Sequence, residues 1–238
     1  MIGLGTVINA AAIAVGGIIG TLGGNFISDR YKDILIKASG LCVMFIGIGG
    51  AIEKMMTVNG AFLSSGGTMM MIISFALGSL IGEILNIEDK INTFGEFLKK
   101  KTNSNGDNMF VTGFVTASIT VCVGAMAVVG SINDGISGDF SILTAKSLLD
   151  FIIILILASS LGKGCIFSAI PVALFQGSIT VFARFIEPYL TDAALRNLAF
   201  TGSMLIFCIG VNLIWEKKFK VANMLPTIVI AVIWAFIF

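Results

Sequence analysis

Charged side chains gather in one stretch of this otherwise apolar chain. Residues 124–150, GAMAVVGSINDGISGDFSILTAKSLLD, carry Asp134, Asp139, Lys146 and Asp150, although only 12% of the chain is charged. Lys146 and Asp150 are spaced i,i+4, so a helix places them on one face. Charges inside a bilayer need a partner, water or a bound solute. The spacing therefore predicts either a self-neutralising pair or part of a polar cavity that meets a substrate or coupling ion.

Polar residues also fill the segment before this pair. The run GSINDGISGD, residues 130–139, has three glycines and no apolar run long enough for a helix. Such backbone can line a cavity at membrane depth but cannot face lipid. Two interpretations stay open, a re-entrant segment that coordinates an ion or a solvated outer loop. The candidate binding residues here, together with one neighbour of Lys146, are Ser131, Asn133, Asp134, Asp139 and Ser147.

A third group of polar residues lies in SAIPVALFQGSIT, residues 168–180. Pro171 has no backbone N–H and frees a carbonyl one turn earlier, which predicts a helix break. Ser168 and Gln176 lie on either side of it, and Asn9 lies in the first apolar segment. A broken helix with an amide side chain is typical of a substrate helix. A kink filled by a neighbouring hydroxyl is the alternative.

Composition identifies the elements that must position these residues. The chain has 238 residues and 56% are hydrophobic, so it cannot form the charged surface of a soluble domain. Segments of about 20 apolar residues predict an all-α polytopic transmembrane bundle. About eight spans are expected, at 4–27, 38–53, 61–84, 109–130, 142–160, 164–187, 194–214 and 223–238. Residues 85–108 should form an amphipathic surface helix, with Ile87, Ile91, Phe94 and Leu98 on one face, and a polar loop.

Other function classes are disfavoured. The chain has no histidine, which removes His-dependent triads and most zinc sites. The four cysteines lie in apolar segments without a CxxC pair and are expected to be buried hydrophobes. Net charge is +1, which gives no support for nucleic-acid binding. We expect no enzyme activity, no metal and no cofactor.

Basic residues set the expected orientation. They concentrate in the loops after spans one, three, five and seven, which should be cytoplasmic, and both termini should face outward. These loops hold Arg30, Lys32, Lys37, Lys90, Lys99, Lys100, Lys101, Lys163, Lys217, Lys218 and Lys220, against Lys54, Arg184 and Arg196 in the other loops and their edges. Lys146 lies within a span.

An internal repeat is also indicated. SGLCVMFIGIGGAIEK, residues 39–54, aligns with GSMLIFCIGVNLIWEK, residues 202–217, and a similar shift places Asn9 at Ser168. Three spans, then two, then three would give the triplets opposite orientations, which is an inverted repeat typical of transporters. Within one integral membrane domain, 1–238, we expect a first repeat (1–84), the surface helix and loop (85–108), a central two-span unit (109–163) and a second repeat (164–238).

Small residues form stripes on two spans. Gly16, Gly20 and Gly24 share one face of span one, as Ser74, Gly78 and Gly82 do in span three. Such stripes predict close helix packing, either within the chain or with a second copy in a homo-oligomer.

The motifs GTVINAAAIAVGGIIGTLGG, GAMAVVGSINDGISGD, LTAKSLLD, GCIFSAIPVALFQGSIT and KVANMLP occur in this order along the chain. Together they resemble the bacterial domain of unknown function 554 membrane protein family, which includes YqgA-like and YdfK-like proteins. The resemblance covers nearly the whole length and implies a multi-pass bacterial plasma-membrane protein. It implies no function.

The sequence favours a secondary transporter of a small polar solute or ion. Asp134, Asp139 and Asp150 would handle a cation or proton, and Lys146 would balance charge or hold a carboxylate. Asn9, Ser168 and Gln176 would bind polar groups. An ion channel and a non-transporting structural or regulatory membrane protein are the alternatives. Substrate, direction and coupling ion are not specified.

Overall fold

The computed structural model describes residues 2–24, 28–59, 62–104, 106–122, 125–189, 191–215 and 218–237. The α-helices are α1 (Leu4–Gly24), α2 (Asp29–Met55), α3 (Thr68–Leu85), α4 (Ile87–Lys101), α5 (Phe110–Cys122), α6 (Ala125–Ser137), α7 (Ser141–Leu161), α8 (Ala169–Val181), α9 (Ala183–Ile186), α10 (Asp192–Ile214) and α11 (Pro226–Ile237). Short 3₁₀ helices cover Gly162–Ser168, Glu187–Tyr189 and Val221–Met224. The predicted all-α architecture is confirmed.

One short hairpin departs from this architecture. Strands β1 (Met56–Asn59) and β2 (Phe62–Ser65) pair antiparallel, with Met56 opposite Ser65. The prediction that a helical span begins at residue 61 is therefore wrong, and α3 begins at Thr68. Two glycines precede α3, and Gly67 adopts φ +78°, a left-handed conformation that ends the hairpin and caps the helix.

Long apolar segments match the prediction of a membrane protein. Five segments are long and apolar enough to cross a membrane, at Leu4–Gly24, Ile36–Met55, Thr68–Leu85, Ser141–Val181 and Asp192–Ile214. A sixth would be the pair Phe110–Cys122 and Met126–Ser137, which is bent by 63°. The count of about eight stays a prediction. The first, fourth and last predicted spans include residues 25–27, 123–124 and 238, which lie outside the described residues.

The 41-residue segment Ser141–Val181 contains a reversal of the chain. Gly16 and Gly24 of α1 contact Phe151 and Ser159 of α7, so these two helices run parallel. Gly17 contacts Ile166, and Asn9 bonds Gln176 further along, so the 3₁₀ helix and α8 run antiparallel to α1. The segment is thus two antiparallel helices, as the separate predictions 142–160 and 164–187 require.

The described chain packs as two compact units. The first comprises residues 1–39, 91–122 and 126–188. The second comprises residues 40–90, 123–125 and 189–238. The predicted division into repeats and a central unit is a different partition, which stays a prediction.

Helix α1 of the first unit buries its small residues and exposes its large ones. Its buried face holds glycines, Thr6, Asn9 and Thr21, whereas Val15, Ile18 and Leu22 are about half exposed. This distribution is the reverse of a soluble helix and suits a lipid-facing one. A side chain at Gly16, Gly20 or Gly24 would collide with the backbone of α7. The glycine stripe of α1 therefore packs within the chain, and a homo-oligomer stays a prediction.

Helices of the second unit pack antiparallel. Gly78 of α3 contacts Thr227, and Gly82 contacts Asn223, so the second stripe is also covered from within the chain. Gly47 of α2 contacts Phe207 of α10. A small core forms where Met70 and Phe200 pack with Ala231.

The predicted amphipathic helix is confirmed as α4, Ile87–Lys101. Part of its apolar face does not point to lipid, because Leu98 and Ile91 pack against Phe110 and Phe114 of α5. Phe94 is 42% exposed. Its location on the membrane surface stays a prediction.

Candidate functional site

Lys146 and Asp150 form a buried ion pair on α7. The Lys146 ammonium lies 2.7 Å from both carboxylate oxygens of Asp150. The two side chains are 9% and 4% exposed. Removing two charges from water costs several kcal/mol per ion, and mutual attraction offsets this only when the geometry is good and other hydrogen bonds complete the site. Other helices must therefore contribute polar groups.

Helix α5 supplies the first of these groups. Lys146 donates to the backbone carbonyl of Val121 at 2.9 Å. Val121 lies in the last turn of α5, where carbonyls lack intrahelical partners and the helix dipole is negative. The ammonium thus stabilises the helix end at the 63° bend between α5 and α6.

Helices α1 and α8 supply two amide side chains. Asn9 Nδ2 donates to Asp150 Oδ2 at 3.0 Å and to Gln176 Oε1 at 3.3 Å. A carboxylate only accepts, so the Asn9 NH₂ group must face Asp150, and this in turn orients the Gln176 oxygen toward Asn9. We call Asn9, Lys146, Asp150 and Gln176 the central cluster. The structure brings these four predicted candidates together.

The central cluster has hydrogen-bonding capacity to spare. Asn9 and Gln176 are fully buried, yet Asn9 Oδ1 and Gln176 Nε2 have no hydrogen-bond partner among the described residues. Buried polar atoms are nearly always paired with protein or ordered water. One free acceptor and one free donor beside a paired cation and anion suit a small polar solute, an ion or water.

Asp134 is buried but serves a different partner. Its carboxylate accepts from the backbone N–H groups of Gly3 and Gly5, each at 3.0 Å. These groups form the N-terminal end of α1, where the positive end of the helix dipole stabilises an anion. Asp134 therefore fixes the start of α1. The signal in the sequence is the absence of a Ser, Thr, Asp or Asn cap in MIGLG.

The segment around Asp134 is helical. Residues 131–137 belong to α6, so the prediction of irregular backbone across 131–137 is wrong. Asn133 is half-buried, and Ser131 is fully buried with its hydroxyl unpaired. Asp139 follows the helix and is exposed. Its carboxylate accepts a hydrogen bond from the backbone N–H of Ser141 at 3.0 Å. This bond lowers the pKa of Asp139 below its ordinary value.

The remaining candidates bond to their own helices. Ser147 donates to the carbonyl of Thr144, and Ser168 donates to that of Cys165, both at 2.7 Å. Pro171 does not break α8, since it lies in the first turn, where a missing N–H costs little. The change from 3₁₀ to α geometry comes just before it, at Ser168 and Ala169.

Sequence reasoning missed several buried hydroxyls. Thr6, Ser118 and Thr180 are at least nine-tenths buried and have no hydrogen-bond partner for their hydroxyls. A lone Thr or Ser in an apolar span gives no signal of its own. Among the described residues, no group of three His, Cys, Asp or Glu side chains could hold a metal ion.

Comparison with known proteins places the whole chain in one family. Residues 4–236 match the model described as protein of unknown function (DUF554). The "Uncharacterized membrane protein YdfK" of Bacillus subtilis (strain 168) is 30% identical over 233 residues, covering 98% of this chain and 96% of that protein. The "Uncharacterized protein YqgA" of Escherichia coli (strain K12) is 30% identical over 236 residues, covering 96% and 94%. No solved structure matches.

Proposed function

The chain belongs to the DUF554 family, and we propose that it is a secondary transporter of a small polar solute or ion. The observation that carries the proposal is the central cluster, in which a buried ion pair lies beside one unpaired amide oxygen and one unpaired amide NH₂ group. Keeping ionised side chains inside a membrane is costly, and such residues typically mark substrate or ion pathways.

The composition of the central cluster supports this role. Its side chains come from α1, α7 and α8, and its cation also bonds the end of α5 at a bent helix pair. Discontinuous helices whose ends face polar groups are characteristic of transporter sites near the bilayer midplane. The pair has no net charge, so a neutral or zwitterionic solute, or an ion exchanged for a proton, fits best.

Packing in the second unit supports the inverted repeat that alternating access needs. The sequence alignment makes Gly47 equivalent to Gly210 and Met44 equivalent to Phe207. Gly47 contacts Phe207, and Gly210 contacts Met44. A two-fold axis between antiparallel helices converts each contact into its counterpart in this way. We infer that α2 and α10 are symmetry-related elements of two repeats.

A purely structural role has one observation in its favour. Lys146 and Asp150 already satisfy each other, so the pair could exist only to let α7 insert. The unpaired atoms of Asn9 and Gln176 distinguish the two accounts, because a structural pair needs no spare donor or acceptor.

The test is transport by purified protein in liposomes. Charge movement on a solid-supported membrane would be recorded on steps of pH, sodium chloride, potassium chloride, glycine and acetate. Gln176→Met should abolish the signal at unchanged folded protein, because it removes the free donor at similar volume. Asp139→Asn, an exposed change in the neighbouring segment, should leave it intact.

Three outcomes would contradict the proposal. Full transport by Gln176→Met would remove the cluster from the pathway. A passive conductance far above transporter turnover would favour a channel. No response beyond that of empty liposomes to any of these steps would favour the structural role.

A further inference from the structure

A second polar site lies in the first unit, away from the central cluster. A cavity of about 360 Å³ is lined by Thr21, Gly24, Asp107, Ser160 and Gly162, among others. Thr21 and Asn9 lie on the same helix twelve positions apart, which is about 18 Å along its axis at 1.5 Å per residue. The cavity is large enough to hold a small ion together with several waters.

Two helix ends meet at this cavity. Helices α1 and α7 run parallel and end at Gly24 and Leu161, so their C-terminal turns lie side by side. Each end carries the negative pole of its helix dipole. Neither helix has a basic residue in its last turn to offset this charge.

Three side chains add oxygen atoms. Thr21 and Ser160 line the cavity, and their buried hydroxyls have no hydrogen-bond partner in the part of the chain that the structure describes. Asp107 uses Oδ1 to accept from the N–H of Met109 at 3.0 Å. Its Oδ2 faces Gly162 and lies 3.2 Å from the position that a Cβ atom would occupy if residue 162 had a side chain. Because glycine has no side chain, this side of the carboxylate stays clear.

These groups share one chemistry. They are a carboxylate oxygen, two hydroxyl oxygens and the carbonyl ends of two helices. We propose that this cavity binds a partly hydrated monovalent alkali cation. A single carboxylate among neutral oxygens gives too little negative charge for a strong Ca²⁺ site, which takes several carboxylates. Unwound backbone carbonyls and the C-terminal ends of half-helices coordinate Na⁺ in membrane transporters.

Lys163 also lines the cavity, and its side chain is exposed. Its positive charge would compete with a bound cation for the oxygens of the cavity. Replacing it with a neutral residue should therefore tighten alkali-cation binding.

Direct binding tests the proposal independently of transport. Purified full-length protein in N-methyl-D-glucamine chloride would be titrated with ²²Na⁺ and with ⁸⁶Rb⁺ in a scintillation proximity assay. Saturable binding of at least one cation is expected. Ser160→Ala should weaken it about tenfold, equal to one lost contact of about 1.4 kcal/mol. Asp107→Asn should weaken it more, while keeping the oxygen that caps α5.

The controls separate a binding role from a folding role. Ser160→Ala removes an unpaired hydroxyl, so the melting temperature without alkali cation should not fall. Ser118→Ala removes another buried unpaired hydroxyl that does not line this cavity, and binding should stay at the wild-type level. No saturable binding to wild type, or wild-type affinity in both Ser160→Ala and Asp107→Asn, would overturn the proposal.

Discussion

Replacing one residue of the buried ion pair should cost far more stability than replacing both residues together. Lys146→Met leaves the Asp150 carboxylate with only the Asn9 amide as partner and leaves the Val121 carbonyl without its bond to Lys146. A buried charge left without its partner costs about 3–5 kcal/mol. Asp150→Leu strands the ammonium and should cost a similar amount. Replacing both by apolar residues of similar volume is expected to be neutral or stabilising by about 1–4 kcal/mol.

The assay is a double-mutant cycle on equilibrium unfolding. Wild type, both single variants and the double variant would be unfolded by sodium dodecyl sulfate in mixed micelles and followed by circular dichroism. The structure predicts strongly non-additive effects, with a coupling energy of several kcal/mol, because the charges lie 2.7 Å apart with little exposure. Additive losses, or a double variant less stable than either single one, would refute this account of the pair.

Three further predictions concern packing, topology and pH. Gly20→Leu should lower the free energy of unfolding by more than about 3 kcal/mol, because the new side chain would meet the α7 backbone. Gly23→Ala has open space and should be tolerated. The yield of folded protein after detergent extraction compares the two variants. Reporter fusions at Gly106 and Lys218 should both report cytoplasm, and opposite locations for the two reporters would show that the predicted span count is wrong. The pKa of Asp139 is lowered in the folded state, so its carboxylate contributes to folding stability above the ordinary pKa of 3.8. This contribution is lost as the pH falls through the folded-state pKa. Asp139→Asn should therefore flatten the acid limb of the stability profile.

Spacing alone predicted those parts of the site that lie on one helix. Lys146 and Asp150 are four residues apart, and the period of an α-helix brings them together wherever the helix lies. The same argument predicted α4 from Ile87, Ile91 and the residues that follow on one face. The length of the apolar segments predicted a bundle of membrane helices, because a segment that crosses lipid must satisfy its own backbone hydrogen bonds.

Contacts between distant segments could not be predicted in the same way. The sequence does not indicate that the backbone N–H groups of Gly3 and Gly5 bind Asp134, because almost every residue type has a backbone N–H group. Residues 131–137 were not predicted to be helical because glycines in a sequence usually indicate a loop. In the structure, Gly135 packs closely on Thr180, and this contact favours a residue without a side chain. The repeat aligned Asn9 with Ser168, and the bond between Asn9 and Gln176 needed the structure.

Parallel packing of α1 and α7 also constrains how the protein is made. More than a hundred residues separate Gly24 from Ser141, so the ribosome finishes α1 long before its partner exists. At roughly 5–20 residues per second, the delay is on the order of ten seconds. During that time the first helix lies in the bilayer with its groove of glycines, Thr6 and Asn9 uncovered. Insertion and assembly of this protein are therefore separate events in time, and a nascent chain stopped before residue 141 should have a first helix that has not yet docked.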